Sequence, residues 1–326
     1  MKTSRKLLQG LLVSTLALFS VVGTFAQDAW PSKPIKIIVP FPAGGSSDPP
    51  IRVLALKLQE ALGQTVLVEN ISGGGGSLAT ARIASAAPDG YTLGMGAVGT
   101  LCIAPHLMSK VGYDPLKSFT PITLLGEYAN VLVVNVEQPY KNVGDLLKAA
   151  RENPGKLTFG SSGNGSSNHL SAELLASTAG VKFTHVPYRG TGPALTDLVA
   201  GRLNFIFDVT SNSLPWIQSG KLRALGVTST TPARQLPSVP PLSQTLPGYE
   251  VQGWIGLIGP AGLPPAVVQR LSAEMQKIMA APEFVSQYSN LGFEPRYTTP
   301  TAFTALIKKD YEFWGPVVRA SGAKVD

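Results

Sequence analysis

The sequence predicts an α/β fold of two lobes, and three observations carry that reading. Short apolar runs bounded by Gly, Pro and Asp alternate with segments of helical periodicity, the pattern of parallel sheets covered on both faces. Two glycine- and serine-rich turns, "PFPAGGSSDPP" (40–50) and "GSSGNGSSNH" (160–169), stand at equivalent places, each after a strand and before a helix. A proline-rich connection, "TPARQLPSVPPLSQTLPG" (231–248), precedes a last segment with one strand-like run and then mostly helix.

The N-terminus stands apart from this pattern. Lys2, Arg5 and Lys6 precede an apolar run from Leu7 to Gly23, and Thr24 and Ala26 put small residues at the −3 and −1 positions of a signal-peptidase site. A run of that length could also span a bilayer, but the basic start and the cleavage site favour a signal peptide removed after Ala26. The expected mature chain is periplasmic and not inserted in the membrane. Loss of the leader lowers the net charge from +7 to +4. No run of Lys or Arg remains, so nucleic acid is not an expected partner, and the residual excess is a faint bias toward anions. With 44% hydrophobic and 14% charged residues the chain reads as well packed. Cys102 is the sole cysteine and excludes an internal disulfide; it reads as a small buried hydrophobe.

Strands are expected at "IKIIVP" (35–40), "TVLVE" (65–69), "YTLGM" (91–95), "VLVV" (131–134), "LTFG" (157–160), "FTHV" (183–186), "NFIFD" (204–208) and "LRALGV" (222–227). Ile51, Leu54, Ala55, Leu58 and Leu62 mark one helical face that Gly63 ends. Leu170, Leu174 and Leu175 mark a second, and Leu195, Leu198 and Val199 a third. After "WIGLIGP", Val267, Val268, Leu271, Met275 and Ile278 space one helix, and Phe303, Leu306, Ile307, Tyr311 and Trp314 another. The chain is expected to cross between lobes near 126–130 and to return near 249–254. That gives one lobe from 27–128 with 251–326, a second from 129–250, and a cleft between them as the site.

In parallel α/β sheets ligands sit outside the carboxyl ends of the strands, and 40–50 is the first such end. Asp48 before Pro49 has the form of a helix N-cap followed by Pro at N1. Pro49 and Pro50 remove two of the N–H groups with which a helix start attracts anions. An anion here would be held by the N–H groups of Ala43, Gly44, Gly45, Ser46 and Ser47 and the two hydroxyls; the plain alternative is a strand-to-helix turn. The second stretch offers many neutral donors and no fixed charge, so the pair resembles two jaws. "GAVGT" (96–100) and "FDVTSNS" (207–213) are similar strand ends. A site rich in such donors and poor in Lys and Arg suits a small carboxylate, not a nucleoside triphosphate.

Catalytic readings fare worse. "GMGAVG" (94–99) matches a dinucleotide fingerprint but lacks the following helix and strand, and "GGGGS" (73–77) lacks the Lys of a P-loop and reads as a flexible turn. His106, His169 and His185 stand far apart without ligand spacing, so no metal is expected, and no cofactor. His169 in a serine-rich loop admits a serine hydrolase, but there is no G-x-S-x-G elbow and no marked acid.

"WPSKPIKIIVPFPAGGSSD", "GQTVLVEN", "AAPDGYTL", "YDPLKSFTPI", "PGKLTFGSSGNGSSNH", "VPYRGTGPALTDLVAGRLNFIFD", "GKLRALGVTS" and "PGYEVQGWIGLIGPAGLP" occur in that order. Over essentially the whole mature chain the sequence resembles the extracytoplasmic solute receptors of tripartite tricarboxylate transporters, the Bug-type receptors. The resemblance implies a two-lobed, Venus-flytrap periplasmic binding fold and no enzymatic activity. It implies a first ligand loop of Phe41, Ala43, Gly44, Gly45, Ser46, Ser47 and Asp48, and a second of Ser162, Asn164, Gly165, Ser166, Ser167 and His169. Further contacts are implied at Val98, Gly99 and Thr100, at Tyr188 and Arg189, and at Asp208, Val209, Thr210 and Ser211. The implied partners are a small carboxylate and the membrane subunits of such a transporter; a receptor feeding a sensor or an orphan uptake system is the alternative. Departures at Pro49-Pro50, "ISGGGGS" and "DVTSNS" bear on ligand identity. With Phe41 as an apolar wall, a dicarboxylate or a terephthalate-like aromatic acid is favoured, a tricarboxylate remaining possible.

Overall fold

In the computed structural model residues 30–321 are described, with side chains to residue 319; the leader read from the sequence lies outside them. Residues from Lys33 onward form one unit, apart from Trp30 to Ser32 before it.

Isoleucine and valine in β1 (Ile35–Val39) bury almost completely, as an apolar run bounded by prolines should. α1 (Asp48–Leu62) turns Ile51, Leu54, Ala55 and Leu58 inward and ends at Gly63, whose φ of 65° gives the left-handed cap. β2 (Val66–Asn70), α2 (Ser77–Ala84) and β3 (Thr92–Ala97) follow. A π-helical turn, Gly99–Ile103, then runs into α3 (Ala104–Leu107). The long β4 (Phe119–Asn135) leads to α4 (Val143–Glu152), β5 (Thr158–Ser161), α5 (Ser167–Ala179) and β6 (Thr184–Pro187). Next come α6 (Thr191–Val199), β7 (Phe205–Val209), α7 (Thr210–Gln218) and β8 (Leu222–Val227). The chain closes with β9 (Gln252–Pro260), α8 (Pro265–Ala280), α9 (Pro282–Asn290), β10 (Glu294–Pro295) and α10 (Pro300–Ser321).

The strands line up as β2-β1-β3-β9-β4-β7-β5-β6, with β8 and β10 also on β4. β1 is parallel to β2 and β3, and β5 to β6 and β7, as βαβ succession requires. The centre is antiparallel: β9 lies between β3 and β4. The apolar "VLVV" is not a separate strand but the end of β4. Phe119–Ala129 pairs with β9, whereas Asn130–Asn135 pairs with β7 and β8, so β4 is shared by two half-sheets. Pro121 and Gly126 break the apolar pattern there, and shifts of register beside them absorb the break.

Helices cover both half-sheets, and the apolar core runs between them through the C-terminal segment. Trp254, Phe303, Ile307, Trp314 and Val318 join Leu101 and Ile103 of the first half to Leu170 and Leu175 of the second. Burying each such large side chain contributes roughly 1.5–3 kcal/mol. Trp254 also satisfies its indole N–H on Asp310, Oδ2, at 2.6 Å. This core fixes the strand ends of both halves around one space.

Candidate ligand-binding site

That space is a cavity of about 490 Å³ at the carboxyl ends of the strands. The β1–α1 turn contributes Pro40, Phe41, Pro42, Gly45, Ser46 and Ser47. From the other half-sheet the β5–α5 turn contributes Ser162, Gly163, Ser166, Ser167 and Asn168, and the β6–α6 turn Tyr188, Arg189, Gly190 and Thr191. Ala97, Gly99, Val209, Tyr128 and Phe293 complete the wall together with the turn from Ser72 to Gly76.

The first turn is held by the acid that the sequence suggested as an N-cap. Asp48 does not cap: it is the first helical residue, and Ser47 occupies the cap position without a side-chain bond. Its carboxylate instead accepts from the Gly44 N–H at 2.9 Å, from Arg52 Nε at 2.9 Å and from Asn70 Nδ2 at 3.0 Å. Burial works against its ionisation, but the bonds from Arg52, Gly44 and Asn70 outweigh it and hold the carboxyl below its usual range. Asn70 donates also to the Phe41 carbonyl at 3.1 Å. Asp48 and Gly44 therefore stand behind the loop and shape it, and Ala43 lies outside the cavity wall.

Ser166 caps α5, accepting from the His169 N–H at 3.3 Å and donating to the Gly163 carbonyl at 2.7 Å. Ser162 donates to Asn168 Oδ1 at 2.7 Å, and Asn168 Nδ2 donates to the Phe207 carbonyl at 2.9 Å. The turn is thus pinned to the middle of β7. His169 is buried, off the cavity wall, and its Nδ1 accepts from the Gly165 N–H at 3.2 Å. Its ring stacks on His185 at 3.9 Å, and burial with His169 alongside pushes His185 down to about 3, so His185 is neutral. The Ser166 hydroxyl is engaged with backbone and not with the His169 ring. Ser161 does meet the His185 ring, Oγ to Nε2 at 2.7 Å, but Ser161 is buried and absent from the cavity wall. Neither pair presents a nucleophile to the cavity.

Asn164, Gly165, Val98, Thr100, Thr210, Ser211 and Asp208 likewise sit behind or beside the wall. Thr100 Oγ1 donates to the Ala97 carbonyl at 3.2 Å. Asp208 is wholly buried at the end of β7 and accepts from Ser213 Oγ at 2.9 Å and Asn212 Nδ2 at 3.3 Å. Burial, only partly offset by Ser213 and Asn212, pushes it up to about 7.

Three contributors were not read from the sequence. The "GGGGS" turn is no free loop: Gly74–Gly76 form a 3₁₀ turn in the cavity wall. Tyr128 belongs to the middle of β4, and its hydroxyl meets Ser167 Oγ at 3.2 Å. Phe293 follows α9 and packs edge-on against Tyr128, centroids 5.2 Å apart. Neither aromatic stands in a motif or a periodic run that marks it.

Arg189 is the one charged side chain on the wall, and it makes no hydrogen bond or ion pair with the described residues. Asp197, the nearest acid in sequence, is already held by Tyr188 at 2.7 Å and Arg202 at 2.8 Å. The other polar groups on the wall are neutral, chiefly backbone groups, serine and threonine hydroxyls, Asn168 and two tyrosine hydroxyls, and the apolar surface includes Phe41, Tyr128, Val209 and Phe293. Such a cavity favours an anion with an apolar body.

Residues 51–323 match the family model described as tripartite tricarboxylate transporter family receptor, and the chain belongs to that family. It is 40% identical over 318 residues, 96% of this chain and 93% of the other, to "UPF0065 protein in tcbD-tcbE intergenic region" of Pseudomonas sp. (strain P51). Among solved structures, Rpa4515 of R. palustris with adipate superposes with a TM-score of 0.86 at 32% identity, covering 91% of this chain and 100% of that one. MatC (Rpa3494) from Rhodopseudomonas palustris with bound malate superposes at 0.82 and 33%, covering 89% and 100%. The two-lobed α/β architecture is that of the periplasmic solute-binding proteins of this family.

Proposed function

We propose that this family member is a periplasmic receptor that holds a small carboxylate between its two lobes, a dicarboxylate or an aromatic acid by preference. It would pass the ligand to the membrane subunits of a tripartite tricarboxylate-type transporter. The observation that carries the reading is the cavity itself: a wall of neutral donors and aromatic rings with Arg189 as its one charge and no acid. Two structural relatives carry adipate and malate, both dicarboxylates. Ser46, Ser47 and Ser167 are proposed to hold one carboxylate on a turn that Ser166 shapes, Phe41, Tyr128 and Phe293 the body, and Arg189 a second anionic group.

The lobes are proposed to divide at 128/129 and 250/251. The change of β4 partners between Ala129 and Asn130 supports the first crossing. Closure then follows from a ligand that contacts both halves at once and so favours the closed form over the open one.

Thermal shift of the receptor against citrate, adipate, malate, benzoate and terephthalate tests the reading. Bound ligand raises the melting point by linkage. A strong shift with one carboxylate supports it. Shifts only with neutral compounds would remove the carboxylate from the account.

A further inference from the structure

Where the turns of the two halves meet, four approaches fall on glycines. Gly75, after β2, lies so near the β5–α5 turn that a Cβ would come within 2.7 Å of the Asn164 carbonyl oxygen. A Cβ on Gly99, after β3, would stand 3.3 Å from the Gly165 oxygen. Gly165 in turn faces Leu107, whose Cδ1 would be 3.0 Å away. Gly292, before β10, sits on Ser211 at the start of α7, with 3.1 Å to its Cβ. These four approaches come from four different turns, and each joins a residue of one half to a residue of the other.

We propose that these glycines are the seats on which the two halves close, and that Gly75 against Asn164 is the contact that lets the cavity shut. Contacts below about 3 Å between carbon and oxygen are repulsive, and packed surfaces yield little. A methyl group on Gly75 therefore acts as a wedge between the halves while leaving each half's own core untouched. Through Gly75 the Ser72–Gly76 turn is then part of the closing device as well as of the wall. The inference rests on the proposed binding of a ligand between the halves.

Gly180 provides the control. Gly180, the left-handed cap of α5, and Gly75 share the left-handed backbone, with φ of 64° and 62°, so alanine costs a similar backbone strain at either. A Cβ on Gly180 meets nothing within 4 Å, and Gly180 lies off the cavity wall. Read at saturating ligand, a difference between Gly75→Ala and Gly180→Ala thus reports the contact with the other half.

Spin labels at Glu60→Cys on α1 and Lys148→Cys on α4, both exposed, read the separation of the halves by pulsed electron resonance; Cys102 is buried and takes no label. Distances are recorded without ligand and with adipate, malate and terephthalate, alongside melting curves. The expected result is a shorter distance on adding a binding carboxylate in the parent and in Gly180→Ala. In Gly75→Ala, folded as well as Gly180→Ala, the closed population falls at least tenfold at saturating ligand. Equal closed populations in the two variants would overturn the proposal. If no carboxylate moves the parent, the reading of the ligand fails instead. The ligand-free distributions then decide the seat: a longer mean distance in Gly75→Ala than in Gly180→Ala supports it, and identical distributions overturn it.

Discussion

Gly44 donates its backbone N–H to Asp48 Oδ2 across 2.9 Å, so the acid of the first turn closes its own loop from behind and does not face the cavity. Arg52 and Asn70 occupy the rest of that carboxylate. This resolves an electrostatic difficulty, because a free Asp48 would repel an anionic ligand, whereas a neutralised one shapes the donors that receive it.

Asp48→Ala should therefore cost stability and affinity together. It leaves the Gly44 N–H and Arg52 Nε without this acceptor and Asn70 with the Phe41 carbonyl alone, a loss of roughly 1–3 kcal/mol. Urea denaturation reads the first, and calorimetric titration with a ligand found by thermal shift reads the second. Unchanged affinity in a destabilised Asp48→Ala would show that the loop geometry does not depend on this carboxylate.

Ser166→Ala removes the α5 cap and the bond to Gly163. A lost cap costs about 1 kcal/mol, and the freed turn should bind a carboxylate about tenfold more weakly. Ester hydrolysis measured in parallel should be absent from parent and variant alike; turnover lost in the variant would restore the hydrolase.

Arg189→Gln should separate ligands by charge. Dicarboxylates should lose more affinity than monocarboxylates of the same length, because the variant removes the one charge on the wall. A uniform loss across both classes would mean that Arg189 acts on the first carboxylate or on folding.

Two buried groups make stability depend on pH in opposite senses. Asp208 is pushed up to about 7 from 3.8, so the folded protein holds a proton that the unfolded chain has released, and stability falls as pH rises from about 4 to 7. His185 is pushed down to about 3 from 6.5, so the unfolded chain binds the extra proton, and stability falls as pH drops from about 6.5 to 3. Each contributes at most about 1.4 kcal/mol per pH unit, and between about pH 4 and 6.5 they oppose each other. Denaturation midpoints at several pH values should show Asp208→Asn less destabilised toward pH 7 than the parent, and His185→Gln less destabilised toward pH 4. Parallel pH profiles in parent and variants would rule out both titrations.

Much of this was legible in one dimension. Apolar runs, glycine stops and helical spacing are local signals, and they marked β1, α1, β5, β7 and α8 because each of those elements buries a face its own sequence defines. The two polar turns were legible for the same reason: glycine and serine after a strand and before a helix have few other uses. The family, too, was recognisable from ordered motifs. What only the tertiary structure decided is how these pieces meet. β4 reads as broken by Pro121 and Gly126, yet pairing with β9 on one side and with β7 and β8 on the other carries it across both half-sheets. Asp48 looked like a cap because nothing in sequence announces Asn70, more than twenty residues away, as its partner. Tyr128, Phe293 and the glycine run reach the cavity through contacts that no spacing encodes. Local propensity sets which segments fold into strands and helices; which side chains share a cavity depends on long-range packing, and there the identity of a residue says little until its neighbours are known.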